Sequence, residues 1–196
     1  MKKIEIILVG IFVFSILLFL NNIPFGSFVF AISMSALLFV YFYLSFAIFN
    51  DIKIRDIFKR KSYENLKALR IIIAILIGFA FSEIIVGVWF KLYLLPQYFT
   101  FLNIGLIIVF LLAIFCLFKY IKEKNSFFKK ALIRIIVIGG IGFCIHIFPI
   151  NNLIDIKYKK HPEYAELLKQ SLREPENFEL KDKIREEEIK IYSDKQ

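Results

Sequence analysis

Two titratable side chains lie inside long apolar runs of this sequence and could exchange a proton. Glu83 follows Arg70 by 13 residues, and His146 follows Arg134 by 12. If both arginines mark the same end of a membrane-spanning helix, the carboxyl group and the imidazole lie about 18–20 Å along their helices, at matching depth. Where the dielectric constant is low, such groups can pass or share a proton. Proton or ion handling is therefore one hypothesis for this chain.

Hydroxyl groups could extend this pair into a polar layer across four helices. Ser15 reaches a comparable depth, as do Ser33 and Ser35 in the next apolar run, and of these two we choose Ser35. The alternative is structural. Glu83, which we take as the only acid buried in a span, can stay protonated and bind a serine or a carbonyl group, which fixes helix packing alone. We favour the structural role over proton or ion handling, and a ligand site ranks third.

Small residues recur at helical spacing in two of the apolar runs. Such stripes let helix backbones approach closely, so they predict packing faces rather than a site. The glycines of the second stripe lie within a membrane span, where a nucleotide-binding loop is not expected. The predicted packing residues are Ala74, Gly78 and Ser82 in one run, and Gly139, Gly140 and Gly142 in another.

The elements that must position these residues are apolar helices. Hydrophobic residues make up 59% of the 196 positions, compared with about 45–50% in an ordinary soluble domain. Runs of roughly 20 apolar residues are long enough to cross a bilayer. We predict an all-α, polytopic integral membrane protein with five transmembrane helices in tandem hairpins and a short, soluble helical tail. The predicted spans are residues 4–20, 28–49, 71–95, 101–119 and 131–150, and the tail is residues 151–196.

The charge distribution predicts an orientation in the membrane. The net charge of +9 comes mainly from the loops after the second and fourth spans, whereas the tail balances ten basic against eleven acidic residues. Because basic loops stay in the cytoplasm, the N-terminus is expected inside and the tail outside. Lys157, Lys159 and Lys160 just beyond the fifth span conflict with this orientation. Binding of nucleic acid is disfavoured, because the phenylalanines lie inside apolar runs rather than on a basic surface.

An internal repeat supports the orientation of the fifth span. Residues 70–79 read RIIIAILIGF and residues 134–143 read RIIVIGGIGF, with six of ten positions identical. Pro24 and Pro96 close the first and third spans at similar short turns. These similarities predict two tandem hairpins followed by the opening helix of a third. Since each unit has two crossings, successive units are parallel rather than inverted.

The tail is predicted to be helical in pieces. Pro162 followed by Glu163 is a typical helix start, with proline in the first position and an acid in the first turn. Pro175 is expected to interrupt, and residues 178–191 form a further charged helix.

The sequence contains none of the common catalytic or cofactor motifs. No nucleophile–base pattern, metal-ligand spacing or phosphate-binding loop is recognisable. Cys116 and Cys144 fall inside predicted spans at different depths, so no disulfide is expected. We therefore expect neither enzymatic activity nor a cofactor or metal.

The predicted hairpins resemble a known membrane motif. Residues 17–39 (LLFLNNIPFGSFVFAISMSALLF) and 89–111 (WFKLYLLPQYFTFLNIGLIIVFL) look like the N-terminal transmembrane hairpin of GldL, the inner-membrane motor component of bacterial gliding and type 9 secretion. The same hairpin recurs in tandem in a group of uncharacterised membrane proteins. The GldL-type hairpin carries an acid in its second helix, whereas the second helices here contain none. The resemblance implies a bacterial cytoplasmic membrane location and this architecture, rather than motor activity.

Three functions remain open from the sequence. The first is a non-enzymatic subunit or accessory factor of a cell-envelope complex, with the lipid bilayer and a membrane-protein partner or a second copy as its contacts. The second is a small proton or ion conductor that uses Glu83 and His146. The third is a membrane-resident immunity or stress protein.

Overall fold

The protein is all-helical over residues 2–64, 66–174 and 176–193, the parts of the chain that a computed structural model describes. Five of its helical segments are long and apolar enough to cross a membrane, so the chain is a multi-pass membrane protein by length and composition. The first four are α1 (Lys2–Leu20), α2 (Gly26–Phe49), α3 (Ala68–Leu92) and α4 (Tyr98–Glu123). The fifth combines α5 (Ser126–Arg134), a π-helical turn (Ile135–Gly139) and α6 (Gly140–Ile147).

The chain divides into two compact units. The first, which we call the membrane unit, comprises the residues up to Phe19 together with Pro24–Ile147. The second, the tail unit, comprises Leu20–Ile23 and the chain from Phe148 onward. Its helices are α7 (Ile150–Lys157), α8 (Pro162–Arg173) and α9 (Phe178–Ser193).

Several predicted boundaries moved by a few residues. The third span was predicted at 71–95 but ends at Leu92, because Leu94 adopts a left-handed backbone with φ of 58°. The amide of Leu95 then donates to the carbonyl oxygen of Phe90 at 2.8 Å, which closes the helix end. The fifth span was predicted at 131–150 but begins at Ser126, where the Asn125 side chain accepts the amide of Phe127.

The turns after α1 and α3 share an unusual backbone. Each turn contains four consecutive residues: one with a left-handed backbone conformation, one ordinary residue, a proline, and a second residue with a left-handed backbone conformation. The left-handed positions are Asn22 and Phe25 in the first turn, and Leu94 and Gln97 in the second. Left-handed geometry is uncommon for bulky side chains such as Phe and Leu. Both turns therefore impose the same strained conformation between consecutive spans.

Helix α3 lies at the centre of the membrane unit. It packs against α2, α4 and the fifth span, and its spanning window is the most buried of the five. Glycines allow the close approach to α4. A Cβ added to Gly105 would lie 2.9 Å from the carbonyl oxygen of Ala80, and one added to Gly87 would lie 2.7 Å from Leu102 Cγ. The backbones of α3 and α4 therefore come close together at two levels.

In the tail unit, α8 packs against α7 and α9. Pro162 opens α8, which confirms the predicted helix start. Pro175 lies outside the described residues, but α8 ends before it and α9 begins after it. The rings of Tyr158 and Tyr164 meet edge to face at 4.8 Å, and Lys169 pairs with Asp155 at 2.6 Å. These contacts join the connection after α7 to α8 within one small core.

Candidate functional site

A buried ion pair joins the first and last spans of the membrane unit. Arg134, the last residue of α5, donates from Nε to Glu5 Oε1 and from Nη2 to Glu5 Oε2, both at 2.6 Å. Glu5 is 5% exposed. A planar guanidinium that holds both carboxylate oxygens forms one of the strongest and most directional pairs available to side chains. The pair fixes the N-terminal end of α1 against the end of α5.

Two aromatic residues of α2 complete this cluster. The hydroxyl group of Tyr41 donates to Glu5 Oε1 at 3.2 Å. The guanidinium of Arg134 lies over the Phe49 ring, with Cζ 4.6 Å from the ring centroid. Both contacts compensate for the removal of the charges from water, through a hydrogen bond and a cation–π interaction. We call Glu5, Tyr41, Phe49 and Arg134 the Glu5 cluster.

A pocket of about 280 Å³ adjoins the Glu5 cluster. One wall is the α1 face that carries Ile6 and Val9, and the opposite wall is the face of the fifth span that carries Ile133 and Val137. The π-helical turn begins directly after Arg134 and forms part of that wall. Such turns inside a helix often occur at functional sites. We refer to this cavity as the Glu5 pocket.

Lys130 stands at the same end of the pocket wall as Arg134, one helical turn earlier in α5. Its ammonium group pairs with Asp51, the left-handed residue that follows α2. Both side chains are more than a third exposed, unlike those of the buried pair. This pair therefore contributes little to stability, because exposed ion pairs are typically worth about 0–1 kcal/mol.

Glu83 and His146 are not joined by a hydrogen bond or an ion pair in the part of the chain that the structure describes. Gly142 packs directly against Ile84, so His146 lies about one helical turn further along its span than Glu83. Glu83 is half-buried on α3. The His146 ring lies 5.5 Å from that of Phe99, and its buried Nδ1 has no hydrogen-bond partner among the described residues.

The serines separate into a buried pair and an exposed residue. The Ser15 and Ser33 hydroxyl groups lie 2.9 Å apart, and both are buried between α1 and α2. Each hydroxyl also lies within hydrogen-bonding distance of a carbonyl oxygen of its own helix, that of Phe12 for Ser15 and that of Phe30 for Ser33. Ser35, the residue we chose from the sequence, is exposed. The buried hydroxyl contact therefore involves the neighbouring position that the sequence left as an alternative.

The predicted packing residues lie at helix contacts, with one exception. Ala74 is buried, and a Cβ on Gly78 would overlap Ser45 Cβ and the carbonyl oxygen of Tyr41 on α2. Ser82 donates to the carbonyl oxygen of Gly78 at 2.9 Å. In the fifth span, Gly142 meets Ile84 and Gly139 faces Val109 of α4, whereas Gly140 borders open space.

Sequence reasoning missed the Glu5 cluster. Taking Glu83 as the only buried acid was wrong, because Glu5 lies within the first span and is more deeply buried. An acid in the first turn of a helix is usually exposed to solvent, so the sequence gives no reason to expect that Glu5 is buried. The available indication was that Glu5 and Arg134 lie near the starts of spans predicted to run in the same direction. Such positions place the acid and the base at the same membrane face.

The charged groups of the cluster are engaged with one another. Both carboxylate oxygens of Glu5 are engaged by Arg134 and Tyr41. Over the described residues, no group of three or more His, Cys, Asp or Glu side chains could hold a metal ion. Cys116 is buried and Cys144 is exposed, and both are free thiols.

Comparison with known proteins gives one match. Residues 39–85 match a family described as "Protein of unknown function (DUF1146)". No curated protein and no solved structure matches the chain. The matched segment runs from the middle of α2 to the middle of α3, so it contains Tyr41, Phe49 and Asp51 but neither Glu5 nor Arg134. The family has no assigned function, and the comparisons do not support the resemblance to GldL.

Proposed function

We propose that this membrane protein acts by binding, as a non-enzymatic subunit or accessory factor of a cell-envelope complex. The observation that supports this proposal is the surface of the tail unit. Phe178 is 75% exposed, Ile189 is 63% exposed and Leu172 is 45% exposed. All three lie outside the five apolar spans. Lipid therefore does not account for their exposure in the way that it accounts for exposed apolar residues on the spans.

The helices that carry these side chains are otherwise highly charged. In α9, Phe178 and Ile189 are separated by a sequence rich in Lys, Arg, Asp and Glu, and α8 contributes Leu172. Apolar residues on a charged helix are typical anchors when a helix binds a groove on a partner. Charged surroundings keep the helix soluble until it binds.

Co-purification in mild detergent tests the proposal. We expect the wild-type full chain to retain a partner protein or a second copy of itself, and Phe178→Ser with Ile189→Ser to lose it. Glu186→Gln, on the same helix and exposed, is the matched control and should retain the partner. A wild-type protein that is strictly monomeric and free of partners would contradict the proposal.

We further propose that the N-terminus is cytoplasmic and the tail lies on the outer side of the bacterial cytoplasmic membrane. Support comes from the basic loops after α2 and α4. A topology reporter fused after Ile150 and a second one fused at Gln196 should both be found on the outer side of the membrane. A cytoplasmic tail would overturn this topology and require the last apolar segment to be re-entrant or interfacial.

The tandem-hairpin repeat is likewise a proposal. The matched left-handed turns around Pro24 and Pro96 support it, as does the sequence identity between residues 70–79 and 134–143. On this basis the resemblance to GldL concerns the hairpin architecture alone.

A second candidate function is proton or ion conduction. The observation that favours it is Glu83, a half-buried acid in the middle of the central helix. Acids at this depth are costly and often lie on ion pathways. The test is proton flux into proteoliposomes, compared with that of Glu83→Gln. Equal flux for both proteins, or none for either, would remove this candidate.

A further inference from the structure

We propose that the Glu5 pocket binds one acyl chain of an anionic phospholipid, with the lipid headgroup at the Lys130 end. The proposal is independent of the tail unit and of its partner. It rests on four observations. They are the hydrogen bonds among the polar groups that line the pocket, the exposure of part of its lining, its volume, and the basic residues at one end.

The polar side chains that line the pocket already have hydrogen-bond partners. Glu5 accepts two hydrogen bonds from Arg134 and one from Tyr41, and the guanidinium also lies over the Phe49 ring. A buried water molecule needs about two to four polar partners. Because these groups already bind one another, the pocket offers little to hold water or a polar ligand. An apolar occupant fits it better.

The pocket lies between α1 and the fifth span, and part of its lining is exposed. Ile6 on α1 and Ile133 and Val137 on the fifth span line it and are themselves exposed, whereas Tyr41 and Ile138 are buried behind them. The exposed rim residues belong to segments apolar enough to cross a membrane. The material outside the opening is therefore lipid hydrocarbon, which can enter from the side.

The size of the pocket fits a single chain. Its volume of about 280 Å³ lies at the lower limit of ligand pockets, which are commonly about 300–1,000 Å³. The wall from Lys130 to Ile138 extends along eight residues, or about 12 Å. A short length of one extended hydrocarbon chain fills such a groove, whereas a whole lipid or a fused-ring molecule does not.

The basic residues favour an anionic lipid. Lys130 lines the pocket at the end where both helices begin, and its neighbour Lys129 is exposed. On α1, Lys3 is exposed two residues before Glu5, next to the pocket but outside its lining. Asp51 is paired with Lys130 but is more than half exposed. A phosphate can therefore join this pair, and each lysine near a membrane surface adds about 1 kcal/mol of attraction for anionic lipid.

Native mass spectrometry of the delipidated full chain tests the proposal with phosphatidylglycerol and phosphatidylcholine as probes. We expect the first phosphatidylglycerol to bind about tenfold more weakly to Val9→Phe and to Val137→Phe, because each fills the pocket from a different wall. The matched controls Ile7→Phe and Ile136→Phe lie beside these positions, are exposed and do not line the pocket. They should bind as the wild type does.

The headgroup has its own test. Lys130→Gln should weaken the binding of phosphatidylglycerol by about fivefold and that of phosphatidylcholine by less, because the choline group offsets the charge of its phosphate. Asp51→Asn should strengthen the binding of phosphatidylglycerol, since it removes the carboxylate that competes with the lipid phosphate for Lys130. Equal wild-type affinity for the two lipids would overturn the assignment of an anionic headgroup.

Photocrosslinking locates the chain without any pocket-filling variant. Phosphatidylglycerol with a diazirine on one acyl chain should label peptides that contain Val9 or Val137. Labelling concentrated instead on the exposed face of α4, around Phe110, would overturn the proposal. So would unchanged binding in a folded Val9→Phe or Val137→Phe protein.

Discussion

The ammonium group of Lys91 lies 2.7 Å from the carbonyl oxygen of Ile145 and 2.9 Å from that of His146. Lys91 is 2% exposed and belongs to the last turn of α3. The last carbonyl groups of a helix have no partners within the helix, and a cation near them is favourable. The end of α6, just before Pro149, is therefore capped by a side chain from the central helix.

We expect Lys91→Met to destabilise the membrane unit by about 1.5–3 kcal/mol, because two carbonyl groups at the end of α6 lose a charged donor. The measurement is the unfolding free energy of the full chain in detergent. Lys67→Met, an exposed position just before α3, is the control and should change stability by less than about 0.5 kcal/mol. Equal effects of the two substitutions would show that the cap is unimportant.

The Glu5 cluster predicts a large asymmetry between single and paired substitutions. Glu5→Gln should destabilise the protein by about 3–5 kcal/mol, because it leaves Arg134 buried without its counter-ion. Replacing both residues, as Glu5→Leu with Arg134→Met, should cost less than either change alone. Unfolding in detergent measures all three variants.

The exposed pair provides the comparison for this result. Asp51→Asn breaks the ion pair with Lys130 and should change stability by about 0–1 kcal/mol. If Glu5→Gln proved no more harmful than Asp51→Asn, the buried pair would not be holding the first span in place.

Two glycines on packed spans should respond in opposite directions. Gly78→Ala places a methyl group against Ser45 and the backbone of Tyr41, so we expect about 1–3 kcal/mol of destabilisation from overpacking. Gly140→Ala has nothing within 4 Å of the added Cβ and should stabilise its helix by about 0.5–1 kcal/mol. Thermal unfolding of both variants under identical detergent conditions gives the comparison. Destabilisation of the same size in both would disprove the assigned packing.

The tail unit should become more stable as the pH rises from about 8 to 10.5. Burial lowers the pKa of Lys157 from 10.5 to about 8. In this interval the unfolded chain binds the proton more tightly than the folded one, so raising the pH favours folding. Titration of the full chain by NMR of ¹³C-methylated lysines should show one resonance that titrates near pH 8. If a resonance that titrates near pH 8 were still present in Lys157→Met, its assignment to Lys157 would be wrong.

The sequence predicted the number and approximate position of the spans, because length and apolarity decide membrane crossing. It could not predict the end of α3, since nothing marks Leu94 in advance as a left-handed residue. For a different reason, the sequence did not separate Ser33 from Ser35. Helix α2 is apolar on all sides, so its sequence does not indicate which face is buried. Only the packing of α1 distinguishes the two serines.

The position of Glu5 was equally hard to predict from local sequence. Its burial depends on Arg134, Tyr41 and the start of the π-helical turn, all of which are distant along the chain. The basic residues of the two long loops gave an orientation, but they did not identify which arginine is buried. Which side chains of distant helices form an ion pair depends on how all the helices pack together.

The ion pair between Glu5 and Arg134 also sets an order on biogenesis. The two residues are 129 positions apart, so at typical rates of synthesis roughly 6–26 s separate their emergence from the ribosome. Throughout that interval the newly inserted first helix carries an acid without its counter-ion. The contacts of the first span with α2 can form early, whereas its ion pair with the fifth span can form only after Arg134 has been synthesised.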